Sequence, residues 1–483
     1  MIEERNYSLR NKIGYGIGDM YAGGAFLLVN LLYLNFLTDV VGLNPKLAGL
    51  AFLIGKVWDA ISDPLMGFIS DRTKTRLGRR RFYFALGIVP IFLSFSMLWL
   101  KVDPNSIFSA IYYIFSYIFF TTSFTLVMVP YNALLPNMIK SYDERTSFNM
   151  YRMIFSSISA ILSGVVPMMI IQGVSNRSTG YLIMGVIFGL IYAIPWIFVL
   201  FLTWENPINQ TQIQQHSSIK SIFKEFKQSF KNKCFRIHAG FYVSSQTAAD
   251  FLTTIFIYYL TYVLNREKEF SAVLGTLLVV QLLSMPFHGF VAKKYGKKVP
   301  LIIGMITWIV GLTIALFINS SSPGFLIYIV AALSGVGGSS AIFVPWSILP
   351  DISDVDEIIT GKRREGVYAG MSTLIRKIAQ AISVFIIGVY LDEIGYIPNV
   401  SQESTVINGI RLIFFTGPFI FIIIALIFIL SFKMNSQNHQ ILMNEIKSRK
   451  ETKEVSQDKE VIKVCESLTG HRYNELKIDV FNE

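Results

Sequence analysis

Leu47-Ala-Gly-Leu-Ala-Phe-Leu-Ile-Gly-Lys56-Val-Trp58-Asp59-Ala-Ile-Ser62-Asp63-Pro64-Leu-Met-Gly67-Phe68-Ile69 has the length and apolar character of a membrane-crossing helix, yet it carries two aspartates. Asp59 and Asp63 are four residues apart, which stacks them on one helix face. A charge at bilayer depth is expensive, so two acids on one face need a cavity and a counter-charge, a proton or a metal cation. We read them as a cation-coupling site; the plainer alternative is a structural pair bonded across helices.

The rest of the chain agrees with a membrane protein. Over 483 residues, 52% are hydrophobic and 16% charged, with mean hydropathy +0.49; a soluble domain carries about 25% charged residues. The net charge of +11 does not imply nucleic acid, because the basic residues gather between apolar segments rather than on one soluble face. The two cysteines, Cys234 and Cys465, lie in polar stretches without metal-ligand or disulfide-framework spacing. Met1 to Lys12 is polar and the first apolar segment is of full spanning length, so no cleavable leader is expected.

With about 20 residues per crossing, twelve apolar segments are expected, near 14–38, 47–70, 82–100, 107–137, 148–173, 180–203, 237–264, 271–292, 299–319, 324–350, 367–391 and 409–432. Twelve crossings put both ends on one side. The loops of that side hold Arg72, Lys74, Arg76, Arg79, Arg80, Arg81, Lys140, Arg145, Lys293, Lys294, Lys297, Lys298, Lys362, Arg363 and Arg364. By the positive-inside rule both termini are expected to be cytoplasmic. The organisation expected is an all-α membrane protein of two six-helix bundles, 1–203 and 237–432. A cytoplasmic linker, 204–236, joins them, and a polar tail, 433–483, is at best partly helical. Within the linker, Ile219, Ile222, Phe223, Phe226 and Phe230 fall at helical spacing and suggest an amphipathic surface helix.

The bundles repeat each other. Pro64-Leu-Met-Gly67-Phe68 in the second span matches Pro286-Phe-His-Gly289-Phe290 in the eighth, each before a basic loop. Val129-Pro130-Tyr131 likewise matches Val344-Pro345-Trp346. Two ordered matches on corresponding helices are the sign of a duplicated transporter bundle.

These residues resemble the glycoside-pentoside-hexuronide:cation symporters, the melibiose-permease group of the major facilitator superfamily. The resemblance covers about residues 11–432. It is carried by Tyr15-Gly-Ile-Gly-Asp19, Thr38-Asp39-Val-Val-Gly-Leu43 and Lys56-Val-Trp58-Asp59-Ala-Ile-Ser-Asp63-Pro64. Asp143-Glu-Arg145 before Arg152, Leu349-Pro350-Asp351, Gly361-Lys-Arg-Arg-Glu365-Gly366 and Arg376-Lys377 extend it. It implies the major facilitator fold and secondary active symport of a saccharide with sodium or a proton, with no cofactor and no enzymatic activity. The partners implied are a small sugar, a monovalent cation and membrane lipid, and the carrier is expected to be a monomer in the cell membrane.

Carried over residue by residue, the resemblance puts the cation on Asp59, Asp63, Ser62 and Thr125, and gives the sugar site the bases Arg152 and Lys377. The departures fall where the sugar should sit. Gly23 stands where melibiose permeases have an acid, Asp19 lies one turn earlier, Met128 replaces a second acid and Asn132 a stacking Trp. Melibiose is therefore a poor candidate. Asp250 stands where relatives have Asn, and serves either as a cavity acid or as a residue paired within the bundle. Tyr131, Trp346, Tyr258, Tyr368 and Trp58 could offer sugar-stacking faces, Tyr131 first, although ordinary helix packing also explains them.

The loop from Asp71-Arg72 to Arg79-Arg80 looks like the superfamily signature. Its charges, and those of Asp351, Asp354, Glu365, Arg363 and Arg364 in the matching loop, are expected to gate. The competing reading is a lysophospholipid carrier related to the same group. A membrane sensor or an intramembrane enzyme has no supporting motif.

Overall fold

The computed structural model describes residues 8–103, 107–139, 142–205, 227–451 and 455–476. Among the described residues, ten helices are long and apolar enough to cross a membrane: α1 (Leu9–Val41), α3 (Arg81–Leu98), α4 (Phe108–Met138), α5 (Ser147–Gln172), α6 (Arg177–Leu202), α8 (Glu267–Tyr295), α9 (Lys298–Phe317), α10 (Phe325–Thr360), α11 (Glu365–Glu393) and α12 (Ser404–Ser431). Two more rods, α2 (Pro45–Arg72) and α7 (Lys233–Tyr258), are long enough but less apolar, because α2 carries Lys56, Asp59, Asp63 and Asp71 and α7 carries Arg236 and Asp250. Together they agree with the twelve expected crossings. These two less apolar helices carry Asp59, Asp63 and Asp250.

Local chemistry sets where the helices turn. Gly42, at φ 89°, ends α1 in the left-handed region open to glycine. Asn44 then caps α2 by accepting from the Lys46 and Leu47 amides, and Pro45 fills the first helical position, where its missing N–H costs nothing. Asn176 and Asn232 cap α6 and α7 in the same way. Gly361, at φ 75°, closes α10.

In the antiparallel array, α1 starts and α12 finishes at one end of the molecule, called here the terminal end. The halves meet along α2 with α11, α5 with α8 and α1 with α7. At the far end these contacts are tight. A Cβ on Gly388 of α11 would lie 2.5 Å from the Pro45 carbonyl, and one on Gly164 of α5 would lie 2.5 Å from Leu278 of α8. Small residues let helices approach this closely.

Polar bonds reinforce the far end. Tyr262 donates to Asp39 Oδ2 at 2.8 Å, Tyr396 donates to Asp39 Oδ1 at 2.7 Å, and Thr38 and Tyr258 share a hydrogen bond of 2.9 Å. Asn44 donates to Asp392 at 2.5 Å and Arg177 pairs with Glu267 at 2.7 Å, both across the halves. At the terminal end the ion pairs join residues of the same half. Asp71 lies 3.8 Å from Arg79 and 3.5 Å from Arg80, Lys297 meets Asp351 at 2.7 Å, and Arg363 meets Asp354 at 3.0 Å. The fold is thus drawn shut at the far end.

Among its described residues the tail is partly helical, forming α13 (Ser436–Glu451) and α14 (Lys459–Thr469). Its anchors are apolar and ionic: Leu442, Ile446, Val464 and Leu468 are buried. His439 meets Asp354 at 2.8 Å and Lys450 meets Glu357 at 2.5 Å, both on α10. The hydrogen bond to Asp354 raises the His439 pKa above its ordinary value. The linker helix expected over 219–230 falls mostly outside the described residues, which resume at Lys227. Both cysteines are buried and free.

Candidate functional site

The structure brings the two acids of α2 to a lysine of the opposite half. Lys377 Nζ lies 2.9 Å from Asp59 Oδ2 and 2.6 Å from Asp63 Oδ2. Thr125 of α4 bridges the other two oxygens, donating to Asp63 Oδ1 at 2.8 Å and facing Asp59 Oδ1 at 3.3 Å. Ser62 contacts Thr125 at 3.3 Å and donates to the Asp59 carbonyl at 3.1 Å. Asp59 is fully buried, whereas the Asp63 side chain is 31% exposed, so the pair spans from packed protein to open space.

Pro64 follows Asp63 inside α2 and cannot donate the usual bond to the carbonyl four residues back. The Ala60 carbonyl is thereby left without that partner, on the turn between the two acids. Such breaks are tolerated at membrane depth where they line a polar site.

Lys56, one turn before Asp59, is buried with its ammonium 4.0 Å from Asp59 Oδ2 and 3.4 Å from the centre of the Phe26 ring. Both neighbours favour a positive charge there. A second cluster lies beside the first: Arg376 grips Asp250 with two nitrogens at 2.6 and 2.8 Å, and Gln380 donates to the same carboxylate at 3.2 Å. A third pair, Arg152 Nε with Asp19 at 2.7 Å, joins α5 to α1. Lys56, Arg376 and Gln380 were not anticipated as site residues. Their signal was available: Lys56 and Arg376 are charges inside apolar spans, next to residues already singled out.

Other expected residues are placed differently. Tyr131 is wholly buried, its ring 4.5 Å from Tyr15 and nearly parallel to it, with Arg152 5.0 Å from its centre. Its hydroxyl donates to the Tyr15 carbonyl at 2.7 Å. It therefore packs the wall and offers no free face to a sugar in this state, which corrects the stacking expectation; its tyrosine partner on α1 takes the face a ring would need. Asn132 beside it is exposed. Trp346 is 47% exposed and meets Tyr242 edge-on at 6.1 Å, apart from the acids. Tyr258 belongs to the far-end closure, Tyr368 is buried near Asn232, and Trp58 donates to Thr122 at 2.8 Å.

Among the loop charges, Asp71, Arg79 and Arg80 form one group with Glu205, which accepts from the Arg80 amide at 3.0 Å. Arg72 instead stands over the Phe68 ring in its own helix, 3.5 Å from its centre. Asp351 pairs with Lys297, just before α9, while Arg363 pairs with Asp354 and Glu365.

A helical body of two related halves, with buried acids of one half bound to a base of the other, defines an integral multi-pass membrane carrier. Residues 14–436 match the family described as MFS/sugar transport protein, and the chain belongs to that family. It is similar to an assigned sulfoquinovose importer of Salmonella typhimurium (30% identical, 92% of this chain and 94% of the relative). It is also similar to an uncharacterized symporter of Synechocystis sp. (26% identical, 92% and 97%). In fold it resembles the crystal structure of a D-xylose-proton symporter, with TM-score 0.64 at 14% identity over 87% of this chain and 97% of that one.

Proposed function

We propose that the chain carries a saccharide together with one monovalent cation by alternating access, with the cation held between Asp59 and Asp63. The observation that carries this reading is Lys377, whose ammonium sits within 2.9 Å of both acids. An ammonium is itself a compact monovalent cation with three donors. A sodium ion or proton arriving at the acids takes over its role, with Thr125, Ser62 and the Ala60 carbonyl supplying further oxygens for a hard ion. Because Lys377 belongs to α11 and the acids to α2, exchanging one cation for another alters a bond between the halves. Coupling follows if the freed lysine then serves the cargo, since each ligand favours the state the other needs.

The charge distribution of the loops supports a cytoplasmic terminal end. The structure then corresponds to a carrier shut outside, its outer closure made by Asp39 with Tyr262 and Tyr396. The similarity to an assigned sulfoquinovose importer supports a sugar cargo.

Asp59→Asn tests this reading: cation-driven accumulation of sugar in vesicles should disappear, while exchange down a sugar gradient persists. Accumulation at the normal level, with the protein in the membrane, rejects the site.

A further inference from the structure

The tail helices α13 and α14 pack on each other and on α10 and α7 of the second half, with Leu442, Ile446, Val464 and Leu468 buried. Two ionic contacts tie α13 to the last turns of α10: His439 meets Asp354 at 2.8 Å and Lys450 meets Glu357 at 2.5 Å. Both acids are buried, so each needs its counter-charge. The two bases differ in kind. A lysine ammonium keeps its charge across the pH range of living cells, whereas an imidazole gains and loses its own within that range.

The surroundings of His439 make its charge matter. Asp351 and Asp354 face it from α10, Lys297 stands just before α9, Arg363 lies just before α11 and Glu365 is the first residue of α11. Lys297 holds Asp351 at 2.7 Å, while Arg363 is divided between Asp354 at 3.0 Å and Glu365 at 3.1 Å. Among the described residues, three acids thus share two permanent bases, and a protonated His439 supplies the third positive charge. The bond to Asp354 raises the His439 pKa above its ordinary 6.5, with Asp351 acting in the same sense and burial and Lys297 opposing it. A raised value in the docked state means that docking gains most below pH 6.5, and that the gain is lost as pH climbs through the raised value.

We propose that the tail is a pH-responsive strap: a charged His439 holds it on α10, and alkaline pH on the side of the membrane that it faces neutralises His439 and loosens α13 and α14 from the second half. Lys450 and the apolar contacts remain, so the release is graded. The His439 side chain is 33% exposed, and water screens part of the attraction.

The chain carries its own reporter. Cys465 of α14 is free and wholly buried, and burial pushes its thiol up to about 12. A buried, protonated thiol is inert, so Cys465 reacts only as the tail comes away.

Purified full-length protein would be treated with a maleimide at about pH 6 and about pH 8.5, either side of the ordinary imidazole range, and Cys465 labelling followed by peptide mass. Each rate is divided by that of the denatured protein at the same pH, which removes the intrinsic reactivity of the thiol. The normalised rate should rise about 5-fold at the higher pH, the value of one charge-assisted bond reduced by solvent screening. His439→Gln should label at the faster rate at both values. His439→Lys, which keeps the charge, should stay slow at both and shows that the tail of a substituted chain still docks. A wild-type rate that does not change with pH, or a His439→Gln protein that keeps the wild-type pH dependence, overturns the proposal.

Discussion

The Asp250–Arg376 pair and the Asp59–Asp63–Lys377 group take their bases from consecutive residues of α11 and differ in geometry and in the bodies they join. Arg376 meets one carboxylate with two nitrogens, inside a single half, and Gln380 adds a further donor. A planar guanidinium in that geometry stays charged and is hard to replace. Lys377 is shared between two carboxylates and reaches them across the halves. A single ammonium on a flexible stem can leave, and another cation can stand where it stood. The difference shows that a buried ion pair is a fastener or a switch according to its geometry and to which bodies it joins.

Breaking the fastener should have the largest effect on stability. Asp250→Asn strips Arg376 of its charge partner and should cost about 3–5 kcal/mol, seen as a lower thermal midpoint in detergent. The surviving folded protein should still answer the cation through its tryptophan fluorescence. If Asp250→Asn abolished cation binding as Asp59→Asn is expected to, the distinction between the two clusters would fall.

A smaller effect is expected on converting the switch into a fastener. Lys377→Arg presents a fork to two acids and should resist displacement, raising the cation concentration for half-maximal uptake about 10-fold, the value of roughly 1.4 kcal/mol of added bonding. Unchanged cation dependence would mean that the base at this position does not compete with the ion.

Much of this arrangement could be read in the chain. The i, i+4 acids stand out because charges inside apolar helices are costly and so conspicuous, whereas Thr125 was pointed to by the family resemblance alone. The partner of the acids could not be read. Lys377 lies 314 residues from Asp63, and no local pattern assigns one buried base to a given acid. Tyr131 misled because an aromatic beside a helix-breaking proline looks the same whether its face is free or covered by Tyr15. The docking of the tail was not read either: its helices bury Leu442, Ile446, Val464 and Leu468, and His439 and Lys450 of α13 meet acids of α10 that no local pattern assigns to them.

The most direct measurement is a titration of coupling cation into purified Lys377→Gln at alkaline pH, followed by intrinsic tryptophan fluorescence, with Trp58 adjoining the acids. If Lys377 holds the place of the ion, removing its charge should tighten cation binding by about 10-fold or more, the value of a charge-assisted bond, even though coupled uptake is lost. Binding that weakens, or stays the same, would contradict the account.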